Sequence, residues 1–392
     1  MGYDFRGKKM KSHNRSLQVL LLVFTMSAGA FAQTPADSDR QNQIDTLVAK
    51  AIGFLKARGQ LEDGSFSSAS APGVTALVTA GLLRNGVSPD DPTVRKSLKY
   101  LEGLIHSDGG IYLNESTHKN YETSLAILCF KEANADGRYT EVLERGSKFI
   151  QGLQWDGGEG KEESDYFYGG AGYGRHGRPD LSNTSFMVDA LVAAGEEGDS
   201  EALQRALLFI SRTQNLESEH NTTPFPNKNP DGGFYYTPAN GGESQAGETA
   251  NGGLRSYASM TYAGLKSMIY AGVDKDDARV KAAYAWLQKH YDLKSNPGMG
   301  TAGLYYYYHT FAKALNAMDS PVFIDDEGEE HDWRMELIEE LASRQQDNGS
   351  WLNLSLIHIS ETTRPERISF SVFCLKKKKG GWGGGGGGGG GG

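Results

Sequence analysis

Cysteine is almost missing from this chain: there are two in 392 residues, Cys129 and Cys374. Cys374 lies in a tail unlike the rest of the sequence, and Cys129 sits inside the apolar run SLAILCF. A lone cysteine leaves no internal disulfide, so Cys129 reads as a buried thiol. Positive charge is scarce as well. The whole chain carries −9, and residues 1–32 and 354–392 are each +4, which leaves −17 for the middle. A surface that acidic excludes nucleic acid and anionic lipid headgroups as partners and serves solubility instead. Beyond residue 32 no run is long and apolar enough to span a bilayer.

The two ends do not read as fold. MGYDFRGKKMKSHNR is basic, SLQVLLLVFTMSAGA is apolar, and Ala30-Phe31-Ala32 before Gln33 fits a small-residue cleavage site. Residues 1–32 are therefore expected to be a signal peptide, and the mature protein to be exported, periplasmic or secreted. Met10 would open a signal peptide of more usual length. From Ser355 the sequence resembles translated sequencing adapter followed by a glycine homopolymer. A Gly-rich stretch with no period buries no core, so 355–392 is expected to be disordered and the fold to occupy 33–354.

What is present is a repeat. An amphipathic helix leads into a Gly turn carrying an acid and an aromatic, and a more apolar helix follows. The turns read QLEDGSF to Phe66, HSDGGIY to Tyr112, QWDGGEG from Gln154, NPDGGFYY to Tyr236, NPGMGTAGLY to Tyr305 and QQDNGSW to Trp351. Glycine supplies the positive φ of a helix stop, the acid caps, and the aromatic packs back. The turns lack the alternating acids of a calcium loop. Helices before the turns, such as PTVRKSLKYLEGLI, are apolar at three- and four-residue steps and charged opposite. Helices after the turns, such as GVTALVTAGLLRNG and YETSLAILCFKEA, are apolar on most sides. The first kind is expected outside and the second inside, giving six outer and five inner helices. The sixth inner partner is missing where the adapter-like tail begins, so the last hairpin is expected to be truncated. The pattern predicts an all-α fold of six helical hairpins. It leaves an open solenoid and a closed ring both standing, and favours the ring.

The turns QLEDGSF and QQDNGSW resemble the QW-type repeats of squalene–hopene cyclases. Residues 41–353 resemble the prenyltransferase and squalene oxidase repeat family, which includes terpenoid cyclases and protein prenyltransferase β subunits. SRTQNLESEHNTTPF, YTPANGGESQAGET and LYYYYHTFAKAL are similar to an exported bacterial branch of unassigned reaction. The resemblance implies an α/α toroid whose site, where one exists, lies in the central cavity at the N-terminal ends of the inner helices.

The chemistry that the resemblance implies is present only in part. Cyclases of the family protonate an alkene from Asp-x-Asp-Asp-Thr, and the matching stretch here is Asp180-Leu181-Ser182-Asn183-Thr184. Serine holds the place of the proton-delivering acid. Asp180 is the remaining candidate acid, and after Pro179 it also reads as a helix cap. His309 in YYYYHTF resembles the zinc-ligand histidine of prenyltransferases, but NGGLRSYASMTY, where the partner Asp and Cys belong, has neither. No cofactor is therefore expected, although Glu122, His118 or His176 leaves another zinc arrangement open. The predicted catalytic set is Asp180, His309 and Glu122. The expected cavity wall is His118, Tyr121, Tyr173, Arg175, His176, Asn183, Arg255, Tyr257, Tyr262, Tyr305 and Tyr308. Aromatic walls with few polar groups suit an apolar small molecule or isoprenoid and stabilise cations. Residues 221–253 form a long Gly/Pro/Asn-rich connection, in which Glu243 and Glu248 belong either to a lid or to a solvated loop. The sequence thus predicts a terpenoid-cyclase or prenyltransferase-like enzyme. The alternatives are a non-catalytic exported binding or scaffold protein, and glycan processing by Glu122 and Asp180.

Overall fold

The computed structural model describes residues 35–66, 72–174 and 177–352. The predicted signal peptide, the adapter-like tail, Arg175 and His176 lie outside the described residues. Residues up to Gln41 cluster apart from the body of the chain, and of them only the opening turns of the first helix are described.

Two helical layers build the body. The outer layer is α1 (Pro35–Phe54), α3 (Pro92–Glu102), α5 (Thr140–Gln151), α7 (Glu201–Arg212), α9 (Ala278–Lys289) and α11 (Trp333–Arg344). The inner layer is α2 (Pro72–Arg84), α4 (Lys119–Glu132), α6 (Leu181–Ala194), α8 (Ala258–Tyr270) and α10 (Leu304–Ala317). Sequence explains the division. Outer α3 buries one stripe, Val94, Ser97, Leu98 and Leu101, whereas inner α8 buries every residue from Ala258 to Met268. Helices apolar all round are stable only when covered on all sides. The inner helices pack in chain order from α2 to α10, and α5 and α7 each lie between consecutive inner helices. Acids before the first turn fix several starts: Asp91 accepts from the amide of Thr93, Asp277 from Arg279 and Asp332 from Met335. No helix among the described residues is long and apolar enough to cross a membrane.

The Gly turns bind each hairpin to the next outer helix. Gln60 Nε2 donates to its own turn at Gly64 O (3.2 Å) and onward to Thr93 O of α3 (2.8 Å). Gln154 does the same with Gly169 O and Ala202 O of α7, and Gln214 with Gly232 O and Arg279 O of α9. The turn glycine lies flat on the carbonyl three residues further along the receiving helix. A Cβ on Gly169 would stand 1.8 Å from Arg205 O. The last copy reaches back to the first helix. Gln345 Nε2 donates to Leu47 O at 3.0 Å, and a Cβ on Gly349 would stand 2.2 Å from Lys50 O. That contact closes the outer layer into a ring and decides between the two topologies that the repeat pattern allows.

Two turns depart from the rule. His106 replaces the glutamine of the second turn, and there Arg145 of the next helix donates to the carbonyls of His106 and Ser107. In the fifth turn Asn296 points inward: its Nδ2 donates to Ala302 O of the turn and to Ser259 Oγ of α8, and its Oδ1 accepts from Ser259 N. A short hairpin that the sequence pattern does not announce, β1 (Phe323–Ile324) with β2 (Glu330–His331), precedes α11.

The connection 221–253 is ordered around a small cluster of Phe225, Tyr235 and Leu254. It clasps the start of α6: Thr237 Oγ1 donates to Pro179 O (2.7 Å), Leu181 N to Tyr236 O (2.9 Å), and Arg178 pairs with Glu243 at 2.6 Å. Glu243 is thus a tether, while the carbonyl of Glu248 accepts from Arg255.

The seam predicts a contrast between two glycines. Gly86 has φ +83° with no atom in reach of an added Cβ, so Gly86→Ala carries only left-handed strain, about 1–2 kcal/mol. Gly349→Ala adds the clash with Lys50 O and is expected to cost roughly 2 kcal/mol more. Urea unfolding measures both. Equal losses would show that the seam does not bear on stability.

Candidate functional site

The N-terminal halves of four inner helices, α2, α4, α6 and α10, line a cavity of about 470 Å³. Helix α2 supplies Pro72, Gly73, Val74 and Leu77, and α4 with its approach supplies His118, Tyr121 and Glu122. Tyr173 enters from the loop before α6; Ser182 and Phe186 come from α6, Tyr306 and His309 from α10. Gly73 is required by the Tyr121 ring, which an added Cβ would meet at 2.8 Å. Phe186 holds the centre. Its ring lies 5.6 Å from Tyr121 edge-on, 6.1 Å from Tyr306 and 6.2 Å from His309. At the mouth His118 meets Tyr173 edge to face at 4.8 Å. Across the ring Ser182 Oγ and Tyr306 Oη are hydrogen-bonded at 3.0 Å.

The three predicted catalytic residues have different situations. Asp180 is 3% exposed and caps α6. Its Oδ1 accepts from the Asn183 amide and its Oδ2 from Asn183 Nδ2, both at 2.8 Å, and the Tyr236 hydroxyl donates as well. Burial raises its pKa to about 6 against those hydrogen bonds and the charge of Arg178. It does not line the cavity; Ser182, two residues on, does. Glu122 does line it. Its carboxylate accepts from Leu113 N (3.0 Å) and Ser116 Oγ (2.8 Å), and burial pushes its pKa up despite both. His309 lines the wall too, and burial with the charge of Lys313 holds its imidazole neutral.

Of the expected wall, His118, Tyr121 and Tyr173 line this cavity, Arg175 and His176 lie outside the described residues, and the other six stand elsewhere. Asn183 serves Asp180 instead of the cavity. Arg255 is exposed and bonds back to Glu248. Tyr257 is buried at the N-cap of α8. Tyr262 packs against Tyr307 and Phe311 in the core. Tyr305 and Tyr308 turn toward neighbouring loops, donating to Leu352 O and Leu293 O. Of the four consecutive tyrosines, Tyr306 is the one that lines the cavity. Spacing does not single it out, since Tyr306 stands three and Tyr305 four residues before His309, both on its face. Among the described residues one group has three potential metal ligands within reach of a common ion, Asp325, Glu329 and His331. It sits at the β1–β2 hairpin and contributes nothing to the cavity. The missing prenyltransferase Asp and Cys leave His309 without that zinc set.

The raised pKa of Asp180 fixes a sign. Between its ordinary value near 3.8 and about 6 the folded chain holds the proton that the unfolded chain has released. Stability contributed by this group is therefore full below pH 4 and is lost as pH rises through 6, by roughly 3 kcal/mol. Asp180→Asn, which keeps a capping oxygen, is expected to remove that slope. Urea melts of both proteins from pH 4 to 7 measure it; parallel curves would mean that Asp180 does not carry the shift.

A model of the squalene-hopene cyclase C-terminal domain family matches residues 36–236, just over half of the chain. Among solved structures, the apo type II terpene cyclase MstE from Scytonema superposes with a TM-score of 0.49 at 13% identity, over 85% of this chain and 96% of that one. A variant of the same enzyme in complex with geranylgeranyl dihydroxybenzoate gives 0.50 at 12%, over 86% and 97%. A polysaccharide lyase gives 0.47 at 12%, over 86% and 95%. At 12% identity the superposition at 0.50 concerns the helical fold alone. The family match covers the first four outer helices and the first three inner ones, Ser182 and Glu122 included, and the chain belongs to the squalene-hopene cyclase C-terminal domain family.

Proposed function

We propose that the protein binds an isoprenoid or similarly apolar chain in the ring cavity and acts on it as a terpenoid-cyclase-like enzyme. The cavity wall carries this reading. About 470 Å³ is lined by Tyr121, Tyr173, Phe186 and Tyr306 with aliphatic α2, and four polar groups interrupt the wall, His118, Glu122, Ser182 and His309. Volume and composition suit a small apolar ligand, and ring faces stabilise a carbocation that water would quench. A prenyl chain like that of the geranylgeranyl dihydroxybenzoate bound by the Scytonema enzyme is the kind of ligand meant.

Alkene protonation needs a carboxylic acid held neutral at the ligand. Ser182 has no such proton to give, and Asp180 is occupied as a cap. Glu122 is the carboxyl that meets the ligand, and burial favours its protonated form. Its proton adds to one alkene carbon and leaves a cation on the other. A neighbouring double bond attacks with its electron pair to form the ring bond. The final cation releases a proton, with the neutral His309 imidazole within the same wall as acceptor; His309 then passes a proton to water and Glu122 takes one back, so both groups are reset.

The competing reading is a binding protein that keeps the ring without the reaction. The observation that favours it is Ser182, which stands at the acid position and is bonded to Tyr306. Protein starting at Gln33 incubated with squalene and shorter isoprenoids, then extracted for mass spectrometry, separates them. The expected result is a cyclised product that falls at least about 100-fold in Glu122→Gln and survives in Asp180→Asn. Unchanged isoprenoid retained by the protein favours the binding reading. Neither product nor retained lipid overturns both.

A further inference from the structure

The β1–β2 hairpin carries a donor set that the ring cavity does not use. Its loop reads Asp325-Asp326-Glu327-Gly328-Glu329, and Gly328 turns it at φ +84°. Asp325 divides its two oxygens. Oδ1 accepts from the amides of Glu327 (3.0 Å) and Glu329 (2.8 Å), which fixes the loop. Oδ2 faces the ring of His331 across the hairpin, 3.2 Å from Nε2. Asp325, Glu329 and His331 each bring one ligand atom to a common point, all within 4.8 Å of one another.

His331 sets this group apart from a patch of surface acids. Its Nδ1 lies 3.0 Å from Glu336 Oε1 of α11. Glu336 is itself held, since the Tyr291 hydroxyl donates to its Oε2 at 2.8 Å. The imidazole also stacks on Tyr291, with ring centroids 4.2 Å apart, and its side chain is 15% exposed. A carboxylate that accepts from Nδ1–H leaves the Nε2 lone pair to a Lewis acid, and this is how proteins orient metal-ligating histidines.

The spacing of Nε2 and Oδ2 agrees. A charge-assisted N–H···O bond draws in to about 2.7–2.9 Å. Two ligands held at about 2.0–2.2 Å on neighbouring corners of a tetrahedron stand roughly 3.3–3.5 Å apart. The 3.2 Å found here lies nearer to the second case. Glu329 is exposed, so a change of rotamer brings its carboxylate in, and water fills the fourth corner. One imidazole with two carboxylates suits a borderline dication such as zinc, whereas an all-oxygen set would suit calcium.

We propose that Asp325, Glu329 and His331 form a zinc site outside the cavity, with Glu336 and Tyr291 supporting its histidine. Zinc there clamps the hairpin to the start of α11, whose C-cap is the seam residue Gln345.

Calorimetry on the untagged, chelator-treated chain tests this, with zinc and calcium as probes. Wild type is expected to bind one zinc per chain, at least tenfold tighter than calcium, and to melt at a higher temperature with zinc present. His331→Gln removes the nitrogen ligand and is expected to abolish zinc binding. Glu329→Gln alters an exposed side chain, so it is expected to fold as wild type and to weaken zinc at least tenfold. Should His331→Gln fail to fold, Glu329→Gln decides. No zinc binding in wild type, calcium bound as tightly as zinc, or zinc affinity unchanged in either variant overturns the proposal.

Discussion

A single side-chain amide, repeated around the ring, holds the architecture together. The glutamine at the head of a turn ties two backbone carbonyls, one in its own turn and one in the next outer helix. The turn glycine makes room for that approach by lacking a Cβ. Neither half works alone: a side chain on the glycine separates the helices, and a shorter amide does not span them. The fifth turn shows this, since Asn296 bonds inward and does not reach an outer helix. At Gln154 the polar atoms are buried, so an unmade bond there would leave a carbonyl without water or partner; at Gln60 and Gln345 they are partly buried. Specific pairing of turn with helix follows, and the inner helices are carried along in order.

The cavity is a consequence of that order. Inner helices are apolar on nearly every side, so their packing leaves few places for polar atoms. Those that exist gather at two levels. Hydroxyls, imidazoles and carboxyls collect where the helices start and backbone amides need acceptors, and Asp189 pairs with Lys266 and Lys313 two turns further along α6. Asp180 shows how one residue meets both demands. It satisfies helix amides as any cap does, and by being buried there it acquires an acidity unlike that of a surface aspartate.

Much of the architecture was legible beforehand. Amphipathic and all-apolar helices alternate in the sequence, the Gly turns punctuate them, and Pro179-Asp180 announces a helix start. Ring closure was not legible, because Gln345 and Leu47 carry no local sign that they meet. The site was legible only in part. His118, Tyr121, Glu122 and Tyr173 lie at helix entrances where polar aromatic character stands out. Tyr305 to Tyr308 are four identical residues and set no phase, so their inward member is decided by packing alone. Tyr257 and Tyr262 looked like wall and are core, since an inner helix has covered faces on both sides. Phe186 and Leu77 give no signal distinct from ordinary core residues. The connection 221–253 reads as a loop by composition, but its order comes from Phe225, Tyr235 and Leu254 meeting across it.

The bond between Gln345 and Leu47 joins residues 298 positions apart. A contact of that separation carries almost the full loop-closure entropy of the chain. Every other turn joins neighbours along the sequence, and the ends of that arc meet here. Until they do, α2 at one end of the inner layer and α10 at the other do not face each other, and the pocket between them has no walls. A ligand held by both helices binds only the closed state and draws the equilibrium toward it. Occupancy of the cavity and completion of the ring are thereby one linked event, and the lifetime of the seam sets how long the pocket exists.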